Sequence, residues 1–355
     1  MKNFDRLLVL LSVSILLGSV ALAQATLKFQ VTDLGSLISN ESIAYAINNQ
    51  GQVVGDYWAN NYAEQRCFFY SGGAWQDVAM ARGGATYCHA AAINDAGQIA
   101  GQHAASSPGH PSYAFRLDPP GGVTELLPVS GGQSGGAGIS PSGAVVGSMY
   151  TPSATHAAKW DPSGLISDLG YQCPSCYSEA HATNGVNIVG LTQPYGVASF
   201  DAFWFGRGGL HRFPNLGGGY SQANAINANG DIVGDSRLSS GNTHATLWQG
   251  GNVFDLGVFS GNNTSSANGV SKDTWIVGSS AINSGTYRAF LRAPNPNCSD
   301  LRDLNNLLDS SGAGWILMNA FGINDNHQIV GWGYFTYGAP GAHAFVLTPN
   351  RYPLC

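Results

Sequence analysis

The sequence predicts an all-β fold: a seven-bladed β-propeller of four-stranded antiparallel blades, closed by the N-terminal strand joining the last blade. Three observations predict it. A short unit recurs seven times, two further strand-like segments follow each recurrence but the last, which has one, and a spare copy of the missing segment stands ahead of the first unit. Composition agrees. Gly supplies 48 of 355 residues and charged residues only 10%, which suits turns and short strands and disfavours long solvated helices. Hydrophobic residues at 44% supply a core and exclude disorder.

Residues 1–25 combine a Lys2/Arg6 start, an apolar run from Leu7 to Val20, and the small-residue patterns Ala21-Leu22-Ala23 and Ala23-Gln24-Ala25. This is the pattern of a secretory signal peptide cleaved near 23–25, leaving 26–355 as one secreted domain, extracellular or periplasmic. No later stretch approaches about 18 consecutive apolar residues, so no membrane span is expected. Taking Lys2, Arg6 and Asp5 from the 15 bases and 21 acids leaves 13 and 20. With no run of Lys or Arg, nucleic acid is a poor partner.

The unit reads AYAINNQGQVVG from Ala44, AAAINDAGQIAG from Ala90, GAGISPSGAVVG from Gly136 and AHATNGVNIVG from Ala180. It continues as ANAINANGDIVG from Ala223, ANGVSKDTWIVG from Ala267 and AFGINDNHQIVG from Ala320. Steps of 46, 46, 44, 43, 44 and 53 residues mark a repeat architecture, either solenoid or propeller. In each copy, hereafter units one to seven, a small-residue strand reaches Asn, two variable residues and Gly follow, and an apolar strand leads away. Asn bonds its own backbone ahead and Gly accepts positive φ, so the segment is a hairpin. Thr274 and His327 take the Gly place in units six and seven, and unit four is one residue shorter. These three turns are expected to differ from the rest.

A third strand follows: RCFFY from Arg66, YAFRL from Tyr113, HAAKW from His156, DAFWF from Asp201, HATLW from His244, RAFLR from Arg288 and HAFVL from His343. A fourth reads WQDVA from Trp75, VTELL from Val123, ISDLG from Ile166, LHRFPNLG from Leu210, VFDLG from Val253 and LRDLN from Leu301. Unit seven has no fourth segment before the chain ends, while Val31-Thr32-Asp33-Leu34-Gly35 supplies one at the other end. A ring pairs the two and removes the edges that an open solenoid would have to cap.

The A-x-[AG]-[IV]-N-x-x-G-x-[IV]-V-G unit, the HAF strand and the DLG strand resemble the HAF-repeat family of bacterial extracellular proteins. The resemblance covers nearly all of the mature chain. It implies an exported repeat protein and brings no catalytic residue with it.

In a four-stranded blade the first strand lies nearest the axis, so second-to-third and fourth-to-first connections emerge on one face. The former are expected to carry Tyr57, Trp58, Trp332, Tyr334 and Tyr337, and the latter Tyr87, Tyr177, Tyr220 and Trp315. Rings among Asn, Ser and Gly suit carbohydrate, because ring faces meet C–H faces while polar groups bond hydroxyls. Packing between blades is the competing use of any one ring. Glu179, His181, His89 and Asp56 are the candidates for acid–base chemistry on a polysaccharide, against ordinary polar lining of a channel mouth. The leading function is a non-enzymatic propeller that binds extracellular carbohydrate or a surface partner. The alternatives are a secreted glycosidase or lyase and a structural envelope component.

His156, His244 and His343 recur by unit and are expected to satisfy backbone groups or pack at a blade edge. The Asp of the DLG strand (Asp33, Asp168, Asp255, Asp303) is expected in a turn or between strands. No metal or cofactor is called for, since no D-x-D-x-D-G run is present. Six Cys in an exported chain favour disulfides. Register suggests Cys67 with Cys88, Cys173 with Cys176, and Cys298 with Cys355.

Overall fold

The computed structural model describes residues 27–35, 41–59, 62–78, 85–105, 111–118, 122–129, 131–170, 175–194, 196–281, 285–294, 300–336 and 341–351. The leader, Tyr337, Cys173, Cys298 and Cys355 lie outside them. The described chain is 28 short strands with two single 3-10 turns, Leu304–Leu307 and Ser310–Gly312. None of its helices is long and apolar enough to cross a membrane.

Units three to six each form a four-stranded antiparallel sheet in chain order. Units one and two repeat that order and are joined by a single parallel pair, Gln65 with Tyr87. In the sheet of unit seven the fourth place belongs to Lys28–Asp33. It runs antiparallel to Ala342–Arg351, with Val31 opposite Leu347 and Asp33 opposite Phe345.

The repeated Asn does two things. Asn48 Oδ1 accepts from Gln50 N at 3.1 Å and Gln52 N at 2.9 Å, which fixes its own turn, while its Nδ2 donates to Asn94 O of the next turn at 2.9 Å. The same outward bond runs from Asn94 to Ser140 O, Asn184 to Asn227 O, Asn227 to Ser271 O and Asn324 to Asn48 O. Thr274 (φ 66°) and His327 (φ 58°) adopt the left-handed backbone of the Gly they replace, and Thr274 N→Ser271 O and His327 N→Asn324 O repeat Gly51 N→Asn48 O. Their turns therefore match the others, contrary to expectation. Compensation comes from side chains: Thr274 Oγ1 donates to Asp231 at 2.7 Å, and His327 stacks on Trp275. Only the shortened turn of unit four differs.

A second link joins neighbouring sheets. A Ser two places before the unit's opening residue accepts the Ala N–H of the preceding third strand: Ser134 from Ala114, Ser178 from Ala157, Ser221 from Ala202, Ser265 from Ala245 and Ser42 from Ala344. At the seam of units one and two these same two positions are Cys88 and Cys67, and they form a disulfide with Cα atoms 5.4 Å apart. The expected Cys67–Cys88 pairing is present, and Cys176 is also disulfide-bonded.

Within a sheet, the third-strand base faces the fourth-strand acid. His156 Nδ1 lies 2.9 Å from Asp168, His244 Nδ1 2.9 Å from Asp255, and Arg66 Nη1 2.8 Å from Asp77. Unit four exchanges the charges, with Arg212 Nη1 3.2 Å from Asp201. The recurring His is thus an inter-strand partner of the DLG acid rather than a backbone cap. Gly170 of the DLG strand has no room for a side chain: a Cβ would stand 3.0 Å from that of His156.

Apolar clusters lie between sheets. Val54, Ala90, Ile99 and Phe115 join units one and two, and Leu34, Ala44, Phe68, Val330 and Ala344 join units seven and one. Each buried Val, Leu or Phe contributes roughly 1.5–3 kcal/mol against exposure.

Candidate functional site: a mouth lined by first strands

Every first strand carries a register break at the residue after the opening Ala or Gly, between Ala44/Ala46, Ala90/Ala92, Gly136/Gly138, Ala180/Ala182, Ala223/Ala225, Ala267/Gly269 and Ala320/Gly322. A bulge leaves its residue unpaired in the ladder and re-aims the side chain. The bulged residues are Tyr45, Ala91, Ala137, His181, Asn224, Asn268 and Phe321, all half-buried. The bulge place varies in kind from unit to unit while the opening Ala or Gly before it stays small.

Two places earlier stand Ile43, His89, Gly135, Glu179, Gln222, Ser266 and Asn319. Together the two rows form a mostly polar lining. His181 Nδ1 donates to Ala223 O at 2.9 Å, and Asn224 and Asn268 send Nδ2 to the equivalent carbonyls of Ala267 and Ala320, both at 3.0 Å. Asn268 also donates to Asn319 Oδ1 at 2.8 Å, and Gln222 to Asn224 Oδ1 at 2.7 Å. Tyr45 closes one side, its ring 4.6 Å from His89 and 5.2 Å from Phe321 between centroids.

All four acid–base candidates fall in or behind this lining. Asp56 is fully buried and holds His89 Nδ1 at 2.6 Å, while accepting from Gln65 Nε2 and Ala90 N. Glu179 accepts the Tyr177 hydroxyl and lies 3.7 Å from His181 Nε2. His181, at that distance, does most to hold the Glu179 carboxyl below its ordinary range, against the upward push of burial and with help from Tyr177. Burial, then the bond to Glu179, raises the Tyr177 phenol. Asp235 is the fifth unit's counterpart of Asp56. Burial pushes its carboxyl up, although Ser266, Asn224 and His181 oppose it.

Unit three contributes only Gly135 and Ala137; Gln102 fills the space over buried Gly135, so Ala137 alone leaves the lining low there, between Tyr87 and His89 of unit two and Tyr177, Glu179 and His181 of unit four. Tyr87 accepts from Gln102 Nε2 at 2.8 Å, and exposed Tyr150 of unit three is near enough to raise both phenols. The units on either side of Ala137 present phenols, imidazoles and a carboxylate.

The aromatic candidates sit elsewhere than expected. Tyr57 and Trp58 lie inside the second strand Val53–Ala59, and Trp332 and Tyr334 inside Ile329–Phe335, not in connections. The strands run on because their partners continue to pair that far. Tyr57 is buried, donates to Asp77 at 2.8 Å and packs edge-on to Trp75, so it is a core residue rather than a surface ring. Trp58 and Trp332 are half-buried. Tyr334 is 41% exposed and stands edge-on to Trp332. Tyr87, Tyr177, Tyr220 and Trp315 likewise belong to first strands.

No protein-family model matches the chain, and no curated protein matches it. Among solved structures it is similar to the β-propeller domain of the trilobed protease from Pyrococcus furiosus, described as having an open velcro topology. Identity is 9% over 90% of this chain and 93% of that one, with a TM-score of 0.56. It is also similar to TolB from Acinetobacter baumannii, at 12% identity over 88% of this chain and a TM-score of 0.47, and spans 64% of that chain's length. A gluconolactonase from Xanthomonas campestris aligns over 91% of this chain and 95% of its own, at 12% identity and a TM-score of 0.39. At such identities the likeness shows the β-propeller fold alone.

Proposed function

We propose that the chain is an exported HAF-type repeat protein whose seven blades form a closed ring, and that it binds a hydroxyl-rich carbohydrate at the first-strand mouth without turning it over. The observation that carries the binding reading is the small Ala137 at the bulge of unit three, with Tyr87 and His89 on the first strand before it and Tyr177 and Glu179 on the one after. Sugars are held by such sets: phenol and imidazole groups bond hydroxyls while ring edges exclude water. Trp332 and Tyr334 extend the same surface on unit seven. The ring reading is supported by Asn324→Asn48, Ala344→Ser42 and the pairing of Val31 with Leu347. Export is supported by the Cys67–Cys88 disulfide, which suits an oxidising compartment.

A second reading, a glycosidase or lyase, rests on one arrangement. Asp56 fixes His89 through Nδ1, and Nε2 has no partner among the described residues, the orientation a general base requires. A glycan array on the secreted chain tests binding, and chromatography of the bound polysaccharide tests turnover. Binding without product supports the leading reading; product that disappears in His89→Gln replaces it with the second. Failure to bind any glycan removes both.

A further inference from the structure

We propose that the cleft between units three and four is a second ligand site, for a small molecule carrying one negative charge on a compact apolar body. It lies at the hairpin turns, at the opposite end of the first strands from the mouth, and stands independently of the carbohydrate reading.

Two departures from the repeat meet there. Ser140 stands where five units place Asn, and its hydroxyl serves only its own turn, through Ala144 N at 2.9 Å and Ser142 Oγ at 3.0 Å. No hydrogen bond crosses from this turn to the next among the described residues. The turn of unit four is one residue shorter, closing from Asn184 N to Asn187 O at 3.3 Å where unit one spans Asn48 to Gln52. The seam of units six and seven also begins from Ser, at Ser271, but other groups close it: Lys272 N donates to Asp325 Oδ1 at 2.9 Å, and His327 meets Asp273 at 2.8 Å. Between units three and four nothing does so, and a cavity of about 200 Å³ opens.

Its walls differ in character. Val146, Ile188 and Phe205 make an apolar side, and Val186, 80% exposed, stands at the entrance. Lys159 contributes an ammonium that makes no ion pair among the described residues. Asp161 also lines the cleft and stays ionised, its Oδ1 held by Ser163 and by Leu165 N of its own turn. A cation without an ion pair among the described residues, set beside an apolar wall, selects a carboxylate with a hydrophobic body. The volume falls below the roughly 300–1,000 Å³ of drug-sized pockets, which suits a single ring.

Benzoate is the probe, with benzylamine as the control of opposite charge, both followed by ligand-observed NMR on the full chain. Benzoate is expected to bind and benzylamine not. Lys159→Met should weaken benzoate by about tenfold, the effect of 1.4 kcal/mol. Ser140→Asn, which rebuilds the missing turn-to-turn bond and crowds the cleft, should weaken benzoate while holding or raising Tm. Glycan binding at the mouth should be unchanged in both variants. Absence of benzoate binding, or equal binding by wild type, Lys159→Met and Ser140→Asn, overturns the proposal.

Discussion

Asp33 and His343, 310 residues apart in the chain, lie 3.1 Å apart between Oδ1 and Nδ1. The pair has the same register as His156 with Asp168 and His244 with Asp255, with the acid opposite the residue two after the His. A contact that is local in units three and five is here made between the two ends of the chain. Asp33→Asn is therefore expected to cost about 1.5 kcal/mol, the value of a charge-assisted bond, and Asp168→Asn a similar amount. Urea denaturation measures both. A cost for Asp168→Asn with none for Asp33→Asn would show that the N-terminal strand lies outside the cooperative unit.

The turn ladder makes a parallel prediction. Asn48→Ser and Asn324→Ser each delete one Nδ2 bond to the next turn, at 2.9 Å in both cases, and one to the Gln of their own turn. Each should lose about 1 kcal/mol, since the acceptor carbonyl is buried. Equal losses in thermal denaturation support a seventh unit seated against the first; a silent Asn324→Ser contradicts it.

Cys67 and Cys88 close a loop of 21 residues at a seam where other units use a Ser hydroxyl. Chain-entropy arguments put such a bridge at about 3 kcal/mol. The double variant Cys67→Ala/Cys88→Ser should fall by roughly that much, and a reducing agent should lower the wild type towards it.

Two acids of unit five should respond to pH with opposite sign. Burial pushes the Asp231 carboxyl up, but bonds from Thr274, Gln249 and Asn227 outweigh it and hold it below its ordinary 3.8. A depressed acid stabilises the fold above its unfolded value, and that contribution is lost as pH falls through the folded value. Asp231→Asn should therefore be less stable than wild type at pH 7, with the gap narrowing below about pH 3.8. Burial raises Asp235 instead, so ionising it costs stability as pH rises above 3.8. Asp235→Asn should gain at pH 7, and the gain should vanish in acid. Chemical denaturation at several pH values distinguishes the two.

Much of the fold is written in local chemistry. Asn-x-x-Gly specifies a hairpin by itself, and the spare DLG copy at Asp33 points to the strand it meets. Cys67 and Cys88 could be matched because register alone placed them at one seam. What sequence could not supply is chemistry between units. That the Asn48 amide serves two turns, or that Ser42 accepts from Ala344, depends on how adjacent sheets abut. The site was partly visible: Asp56 holds His89, and Glu179 lies beside His181, as two separate pairs. Tyr57 belongs to the core because the second strand runs on to Ala59, which its residue pattern does not mark. Tyr45, Asn224, Asn268 and Phe321 carry no residue-type signal, since a bulge, not chemistry, makes them special.

The glycan is expected at the bulge of unit three. Ala137→Phe tests this most directly, because Phe321 occupies the equivalent place in unit seven. Calorimetric titration with a glycan retained on the array should show binding by wild type and its loss in Ala137→Phe, with Tm preserved. Unchanged affinity in the folded variant would put the glycan somewhere else and leave the mouth without its assigned role.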